Sequence, residues 1–428
     1  MSYFHSVTLD KEKCQGCTNC IKRCPTEAIR VRSGKAKIIK ERCIDCGECI
    51  RVCPYHAKLA VTDGFERLKE FKYNIALPAP SFYGQFRYVD DRNKVLTAFT
   101  MAGFNSVFEV AKGAEYVSMK TAEMLKNGEV KKPLISSACS AVVRLIRERF
   151  PDLIGNISEL LSPMEVAAMM ARHEAKIKTG MSDSEIGVFF ITPCPAKVTS
   201  IKAPLTLEKS HINGAISATD AFVKLRPFVK VMDNPQNLSA AGNEGVAWAR
   251  SGGECESTGT LKYIAVDGIN NVINVLSEIE DDKLDDIDFV ELSACTNGCV
   301  GGPLNLTNSF VSTTRINNMI QGGKKLKEGE YNEDISWRRK IQAVQIMKLD
   351  DDLTRAMEKM ERIEKLYSGM PKLDCGSCGA PSCKALAEDI VRGFASENDC
   401  IFKMKERVRE LASELFGLEA GSDSMHNK

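Results

Sequence analysis

Cysteines in three groups are the residues of this chain whose spacing could support chemistry. Two N-terminal runs repeat the pattern Cys-x2-Cys-x2-Cys-x3-Cys-Pro and contain Cys14, Cys17, Cys20, Cys24, Cys43, Cys46, Cys49 and Cys53. Four cysteines stand apart in the middle of the chain: Cys139, Cys194, Cys295 and Cys299. Four more lie near the C-terminus: Cys375, Cys378, Cys383 and Cys400. Thiolates at such spacings bind iron–sulfur clusters, so the sequence predicts a protein that transfers electrons.

The double N-terminal run predicts two [4Fe-4S] clusters within residues 1–60. Its pattern is that of bacterial two-cluster ferredoxins, in which the fourth cysteine of each run binds the cluster of the other run. We therefore expect one ligand set of Cys14, Cys17, Cys20 and Cys53, and a second of Cys43, Cys46, Cys49 and Cys24. The alternative is two zinc knuckles, although zinc sites rarely use four tightly spaced cysteines twice with a proline behind each run.

The composition limits the classes of protein that the chain could belong to. Its 428 residues are 43% apolar, enough for two or three domains with a sizeable core. The net charge of +1 gives no indication of nucleic acid or an anionic membrane as a partner. The N-terminus lacks the features of a secretory signal, and the apolar runs are far shorter than the ~20 residues that span a bilayer. We therefore expect a cytoplasmic protein, where reduced cysteines are metal ligands and not disulfides.

Residues 61–340 alternate apolar runs with amphipathic segments, which predicts an α/β domain with mainly parallel sheets flanked by helices. The predicted strands are Tyr73–Leu77, Leu134–Ser136, Gly187–Ile191, Tyr263–Val266 and Phe289–Leu292. Ala141–Phe150 and Pro163–Lys176 are predicted helices.

Three of the isolated cysteines directly follow predicted strands. Cys139, Cys194 and Cys295 each come two to four residues after a strand ends. Loops at the carboxyl ends of strands are where α/β folds place their sites, so these loops can converge on one cavity. Lys197 follows Cys194 by three residues and would lie beside whatever metal is bound there.

The residues of these loops resemble the three signatures of [FeFe]-hydrogenases. The matching segments are Ser136-Ser-Ala-Cys-Ser140, Thr192-Pro-Cys-Pro-Ala-Lys197 and Ala294-Cys-x3-Cys299-x-Gly-Gly302. Further support comes from Ala79-Pro-Ser81, from Gly103–Phe108 and from Ser251-Gly-Gly253. The resemblance covers about residues 1–320 and implies a two-lobed H-cluster domain with an N-terminal ferredoxin-like domain.

The resemblance also implies roles for individual residues. Cys139, Cys194, Cys295 and Cys299 would bind a [4Fe-4S] cube, with Cys299 bridging to a diiron subsite that carries CO, CN⁻ and azadithiolate ligands. Lys197 would donate a hydrogen bond to one cyanide, and Ser81 with its neighbours would surround the other. The implied reaction is H₂ ⇌ 2H⁺ + 2e⁻.

The first loop departs from the family pattern at Ala138. Productive hydrogenases have a proton-carrying cysteine at this position, and an alanine methyl group neither donates nor accepts a proton. Losing a positioned proton relay typically costs about 10²–10⁴ in rate. This departure indicates a slow enzyme that serves as an H₂ or redox sensor, in a sensory subgroup without a PAS domain.

Two other functions remain open. The chain could be a metabolic hydrogenase that exchanges electrons with ferredoxin through another proton path, or a non-enzymatic iron–sulfur assembly or electron-transfer protein. Lys197 argues against the latter, because an assembly factor holds no cyanide. A sensor would signal to a kinase or phosphatase, and a homodimer is possible.

Cys255 is the cysteine that falls in none of the three groups. It could be a small buried hydrophobic residue, or a substitute proton relay between Glu254 and Glu256.

The sequence of the C-terminal part predicts a helix followed by a segment that binds another metal cluster. Residues 341–370 read as an amphipathic linker helix, packed on its own domain or available for a dimer contact. Residues 371–428 resemble the small helical [4Fe-4S] domain of the corrinoid iron–sulfur protein. Zinc is the alternative for this site. The expected ligands are Cys375, Cys378, Cys383 and Cys400.

Overall fold

A computed structural model describes residues 4–128, 130–320, 332–344 and 348–423. The chain divides into two compact units. Unit 1 comprises Met1–Thr8, Ile44–Arg51 and Leu59–Val344. Unit 2 comprises Leu9–Cys43, Val52–Lys58 and Gln345–Lys428, and thus combines segments from both ends of the chain.

The strands and helices of the described residues have the following bounds. The strands are β1 (Val7–Leu9), β2 (Ile29–Arg32), β3 (Lys35–Ile38), β4 (Lys58–Ala60), β5 (Tyr73–Pro78), β6 (Ser106–Val107), β7 (Leu134–Ile135), β8 (Ile186–Thr192), β9 (Gly214–Ser217), β10 (Tyr263–Asp267) and β11 (Phe289–Ser293). The helices are α1 (Asn19–Lys22), α2 (Glu48–Arg51), α3 (Arg92–Met101), α4 (Val110–Asn127), α5 (Ser140–Arg149), α6 (Pro163–Thr179), α7 (Pro195–Lys202), α8 (Ala218–Lys230), α9 (Asn243–Ala247), α10 (Gly253–Thr258), α11 (Ile269–Glu280), α12 (Ser309–Met319), α13 (Leu353–Ser368), α14 (Cys383–Val391) and α15 (Ile401–Asp423).

Unit 1 contains two parallel sheets. One has the strand order β6-β5-β8-β9 and the other β10-β11-β7. Every pairing described in these sheets is parallel, as the sequence predicted. All seven residues of β8 are buried, which is why this strand appears in the sequence as a continuous apolar run. All five predicted strands are confirmed to within two residues at each end.

Helix boundaries in unit 1 follow local sequence. Helix α6 begins with Pro163, whose fixed φ suits the first helical position and whose missing N–H costs nothing there. It ends at Gly180, where φ is +66°, a conformation that glycine adopts without strain. Among the described residues, none of the helices combines the length and the apolar character needed to cross a bilayer.

Unit 2 contains an antiparallel hairpin and the C-terminal helices. Strands β2 and β3 pair from Ile29↔Ile38 to Arg32↔Lys35. The two residues between them, Ser33 and Gly34, both have positive φ, as a tight hairpin turn requires.

The prediction of one helix from residue 341 onwards is wrong in its first part. Helix α13 begins at Leu353, because the Asp352 carboxylate accepts a hydrogen bond from the N–H of Arg355 and caps the helix there. Residues 345–347 of that prediction lie outside the described part of the chain.

Candidate functional site

Three loops of unit 1 bring four distant cysteines together. Cys139 follows β7, Cys295 follows β11 in the same sheet, and Cys194 follows β8 in the other sheet. Cys299 lies in the short 3₁₀ turn Gly298–Gly301. The thiols of Cys139 and Cys194 act electrostatically on both Cys295 and Cys299, so all four lie close to one another. The predicted convergence of these loops is therefore present.

Burial dominates the protonation of these thiols. It raises the pKa of Cys194 to about 11 and that of Cys299 to about 12, and neighbouring thiols add to the effect. The pKa of Cys295 is also raised well above its ordinary value, first by burial and then by Cys194. Such thiols become thiolates when a metal cation replaces the proton, so this donor set suits a metal cluster.

A cavity of about 70 Å³ adjoins the cysteines, and Ala138, Cys139 and Cys299 contribute to its wall. Most of its lining is apolar. The polar side chains at its wall are Lys197, Glu254, Glu291 and Ser293. An apolar cavity with a few polar groups is typical of a site that binds and orients a small ligand or cofactor.

Lys197 presents a charge to this cavity. It is 9% exposed, and its Nζ donates a hydrogen bond to the carbonyl oxygen of Ala138 at 2.9 Å. Within the described ranges, no carboxylate forms an ion pair with it. An ammonium group has three donors, so Lys197 has donors left for an anionic ligand.

The Ser81 hydroxyl is a second polar group that could bind a ligand. Ser81 is fully buried, and its Oγ has no hydrogen-bond partner among the described residues. It follows Pro80, which lines the cavity. Buried hydroxyls are almost always hydrogen-bonded, so an orphan beside a cavity fits a polar ligand. Lys197 and Ser81 thus both suit the cyanide-bearing group that the sequence implies.

Glu254 and Glu291 form a buried acidic pair at the cavity wall. Ser136 donates a hydrogen bond to Oε2 of Glu254 at 2.6 Å. Glu291 accepts hydrogen bonds from the backbone N–H groups of Gly252, Glu254 and Cys255, at 2.9, 3.1 and 3.0 Å. Sequence reasoning assigned no role to Glu291, because its partners depend on the fold.

The surroundings of the two carboxyl groups favour the protonated form more strongly at Glu254 than at Glu291. Burial, followed by the charge of Glu291, raises the pKa of Glu254 well above its usual range. Burial also raises the pKa of Glu291, but backbone N–H groups oppose this. Because three N–H donors stabilise an ionised carboxylate at Glu291, a proton shared by the pair favours Glu254.

Cys255 lies outside the lining of this cavity. It is fully buried in an apolar cluster with Leu134 and Phe289, and its Sγ is 3.8 Å from the carbonyl oxygen of Ile264. Burial raises the pKa of its thiol far above the ordinary value, and the charges of Glu291 and Glu254 and a side-chain hydrogen bond with Glu291 add to the effect. The surroundings of Cys255 favour its interpretation as a small hydrophobic residue.

A further candidate cluster site lies within unit 2. The thiols of Cys14, Cys17 and Cys53 are electrostatic neighbours of Cys20. The backbone N–H groups of Ala36 and Ala57 lie 3.4 Å from the Sγ of Cys14 and 3.3 Å from that of Cys53.

Lys58 places an unpaired charge beside this cysteine group. Its Nζ is buried without a hydrogen-bond partner in the described structure, and its charge acts on Cys20 and Cys53. A buried ammonium next to four thiols fits an anionic iron–sulfur cluster. The spacing of the cysteines gave no indication of Lys58. The grouping of Cys24, Cys43, Cys46 and Cys49 stays a prediction from the sequence.

The C-terminal cysteines also gather within unit 2. Cys375 and Cys400 act electrostatically on Cys378. Cys383 and Cys400 are buried in one apolar cluster, with Cys378 packed against it. Asp374 accepts a hydrogen bond from the N–H of Cys383 at 2.6 Å and fixes the start of α14.

These sites define an α/β unit with a four-cysteine centre whose donor set suits an iron–sulfur cluster. The profile of the family described as "Iron only hydrogenase large subunit, C-terminal domain" matches residues 72–257 and 236–303, more than half of the chain. The chain belongs to this family. A "4Fe-4S dicluster domain" profile matches residues 6–54, and an Fe-S cluster profile matches residues 370–402. These matches support iron–sulfur clusters in both terminal regions.

Individual relatives are similar to this chain over part of their length. Iron hydrogenase 1 from Clostridium pasteurianum is 24% identical over 371 residues, which cover 69% of this chain and 64% of the relative. One component of an ion-translocating oxidoreductase complex from Thiobacillus denitrificans is 43% identical over 56 residues, covering 13% of this chain and 29% of the relative. The chain therefore spans less than two thirds of the length of these relatives. A solved [FeFe]-hydrogenase variant from Chlamydomonas reinhardtii aligns with 16% identity and a TM-score of 0.44, covering 63% of this chain and 87% of its own.

Proposed function

We propose that this protein is a slow [FeFe]-hydrogenase that interconverts H₂ with two protons and two electrons and reports H₂ or redox state. The observation that carries the proposal is the close approach of four partly buried cysteines, two of which, Cys139 and Cys299, line one largely apolar cavity together with Lys197. Membership of the iron-only hydrogenase family supports it.

The proposed ligands of the H-cluster are Cys139, Cys194, Cys295 and Cys299. When bound, this cofactor supplies the redox chemistry that splits or forms H₂. Lys197 would donate to one anionic ligand of the diiron subsite, and the Ser81 hydroxyl would donate to another. The apolar wall would exclude water and strengthen both hydrogen bonds.

The protein would move protons through Glu254. Its carboxyl group lies at the cavity wall, has a pKa that burial raises, and accepts a hydrogen bond from Ser136. The same Ser136 hydroxyl accepts a hydrogen bond from the N–H of Ala138, at 3.1 Å. Glu254 therefore stands close to the loop where Ala138 replaces the usual relay, and we assign to it the relay function that the sequence suggested for Cys255.

The sensory role rests on Ala138 and on the nature of the substitute path. An acid with a strongly raised pKa releases its proton slowly, so turnover through Glu254 would be limited. Electrons would leave through the iron–sulfur clusters to a redox partner such as ferredoxin. A kinase or phosphatase would read the redox state of a sensor.

A metabolic hydrogenase is the second candidate, and the presence of a carboxyl group at the cavity favours it. H₂ oxidation with an artificial dye separates the two candidates, because a metabolic enzyme turns over rapidly while a sensor responds to H₂ at a low rate.

Infrared spectroscopy of the matured protein tests the proposal itself. Bound CO and CN⁻ absorb where protein does not, and we expect their bands to shift under H₂. A matured protein that binds iron but shows neither bands nor an H₂ response would refute the proposal.

A further inference from the structure

The C-terminal cysteine loop lies along strand β2 of the N-terminal hairpin in unit 2. The N–H of Val31 donates to the carbonyl oxygen of Gly379 at 2.8 Å. Arg32 Nη1 donates to the carbonyl oxygen of Cys378 at 2.7 Å. A Cβ at Gly379, where φ is +78°, would lie 1.9 Å from the Val31 oxygen. The close approach of these two backbones therefore requires glycine at this position.

Buried ion pairs hold helix α14 on the same hairpin. Arg30 binds Asp389 with two hydrogen bonds, Nε to Oδ2 at 2.7 Å and Nη2 to Oδ1 at 3.1 Å. Arg32 Nη2 adds a third at 2.8 Å, and Arg42 pairs with the adjacent Glu388. Arg30 and Asp389 are each 5% exposed. Buried bidentate contacts of this kind fix the orientation of helix α14 as well as its position.

The contact brings two proposed cluster sites next to each other. Gly376 lies between the ligands Cys375 and Cys378, and a Cβ there would be 3.0 Å from Lys22 Cε and 3.4 Å from Ile21 Cδ1. Ile21 directly follows Cys20 in α1, so one side-chain layer separates the two ligand loops. Lys22 acts electrostatically on Cys375, and Arg32 on Cys378. These cations lie where two anionic clusters would otherwise repel each other.

We propose that the C-terminal cluster segment is a fixed electron port, that is, the place where electrons enter or leave this protein. The ion pairs that Arg30, Arg32 and Arg42 form with helix α14, called the clamp below, hold it on the hairpin. Cys375, Cys378, Cys383 and Cys400 would hold one cluster, Cys14, Cys17, Cys20 and Cys53 would hold the other, and this docking would let one electron pass between them. One site is oxidised by one electron as the other is reduced, and no atom moves. Cys375 is exposed, so an external redox partner would reach this end. The inference rests on the cluster assignments of the proposed function but not on its H₂ chemistry.

Electron paramagnetic resonance of the reduced full-length chain tests the port. We expect magnetic coupling between the two clusters, seen as broadened lines and fast relaxation of the N-terminal signal. Cys378→Ala should remove the C-terminal cluster and abolish this broadening. If Cys378→Ala loses no iron, or loses it and leaves the N-terminal signal unchanged, the proposal is wrong.

A clamp variant tests the docking without removing a ligand. Asp389→Asn should keep its iron, weaken the coupling and increase amide hydrogen exchange over residues 29–38 and 375–391. Lys384→Gln, which alters an exposed ion pair with Glu364, is the matched control and should change neither. Coupling and exchange in Asp389→Asn equal to those of the control would overturn the proposal. The CO and CN⁻ bands report on the H-cluster independently, so failure of the port and failure of the hydrogenase assignment are distinguishable.

Discussion

Two pairs of buried carboxylates in this protein have opposite surroundings. Glu254 and Glu291, in unit 1, form no ion pair among the described residues: Ser136 donates to Glu254, while backbone N–H groups and the Cys255 thiol interact with Glu291. Glu388 and Asp389, in unit 2, are bound by arginines. Burial alone would raise the pKa of Glu388, but the hydrogen bonds and charges of Arg42 and Arg392 outweigh it and lower the pKa. At Glu254 the effect of burial exceeds that of the partners that oppose it, and the pKa is raised.

The comparison shows that the hydrogen-bond and ion-pair partners of a buried carboxyl group, more than its depth of burial, decide whether it is ionised. A carboxylate surrounded by guanidinium groups stays ionised and acts as a structural link. A carboxyl group without a cation holds its proton and can pass it on. The following variants test whether this distinction holds.

The largest effect is expected for Glu254→Gln, which removes the transferable proton and keeps the shape of the side chain. We expect the rate of H₂ oxidation with a dye to fall by about 10²–10⁴, with iron content and CO and CN⁻ bands retained. Glu256→Gln is the control, because Glu256 is half exposed and pairs with Arg250. Equal rates in the two variants would exclude Glu254 as a relay.

The second-largest effect is expected on the free energy of unfolding of unit 2. Asp389→Ala leaves Arg30 buried without its counter-ion, and removing one partner of a buried pair typically costs about 3–5 kcal/mol. Denaturant titration, with hydrogen exchange of residues 29–38 as a local readout, measures the loss. Glu364→Ala breaks an exposed ion pair and should cost less than about 1 kcal/mol. Similar losses in both variants would contradict the importance of the clamp.

Glu115 extends the comparison to a third buried acid. It is 4% exposed, and burial raises its pKa to about 7 against the opposing effect of the backbone N–H groups of Gly245 and Gly242. Because the folded state then binds the proton more tightly than the unfolded state, stability falls as pH rises from about 4.5 through 7.

We expect Glu115→Gln, which cannot ionise, to gain stability relative to the unaltered protein between pH 5 and pH 8.5. The gain should reach about 3 kcal/mol at most, since each pKa unit corresponds to about 1.36 kcal/mol. Thermal unfolding at both pH values measures it, and a parallel pH dependence of the two proteins would argue against the raised pKa.

The smallest effect on catalysis is expected for Cys255→Ala. Its thiol packs in an apolar cluster, so we expect an unchanged rate of H₂ oxidation and a stability loss on the order of 1 kcal/mol. A rate as low as that of Glu254→Gln would return the relay function to Cys255.

Sequence reasoning predicts local features here and misses long-range ones. The cysteine groups and the five strands were predictable, because ligand spacing and buried apolar runs are local patterns. The short strands β6 and β9 and helix α15 were missed, since their periodicity is weak. The start of α13 at Leu353 was missed because the Asp352 cap interrupts an otherwise continuous amphipathic pattern.

Partners that are distant in sequence leave no local pattern. Arg30 and Asp389 are separated by 359 positions, and neither residue type nor spacing connects them. The three N–H donors of Glu291 likewise depend on how α10 meets β11. The fold class and candidate ligands are therefore readable from the sequence, whereas the groups that set protonation and docking require coordinates.

The contact between Val31 and Gly379 also bears on how the chain is made. At about 5–20 residues per second, a ribosome completes the C-terminal segment on the order of tens of seconds after the N-terminal hairpin emerges. During that interval, the side chains of Arg30 and Arg42 have no acidic partner to bind. Unit 2 can therefore close only after the segment that carries Asp389 has been synthesised, and a chain truncated at residue 344 would leave Arg30 and Arg42 without their partners.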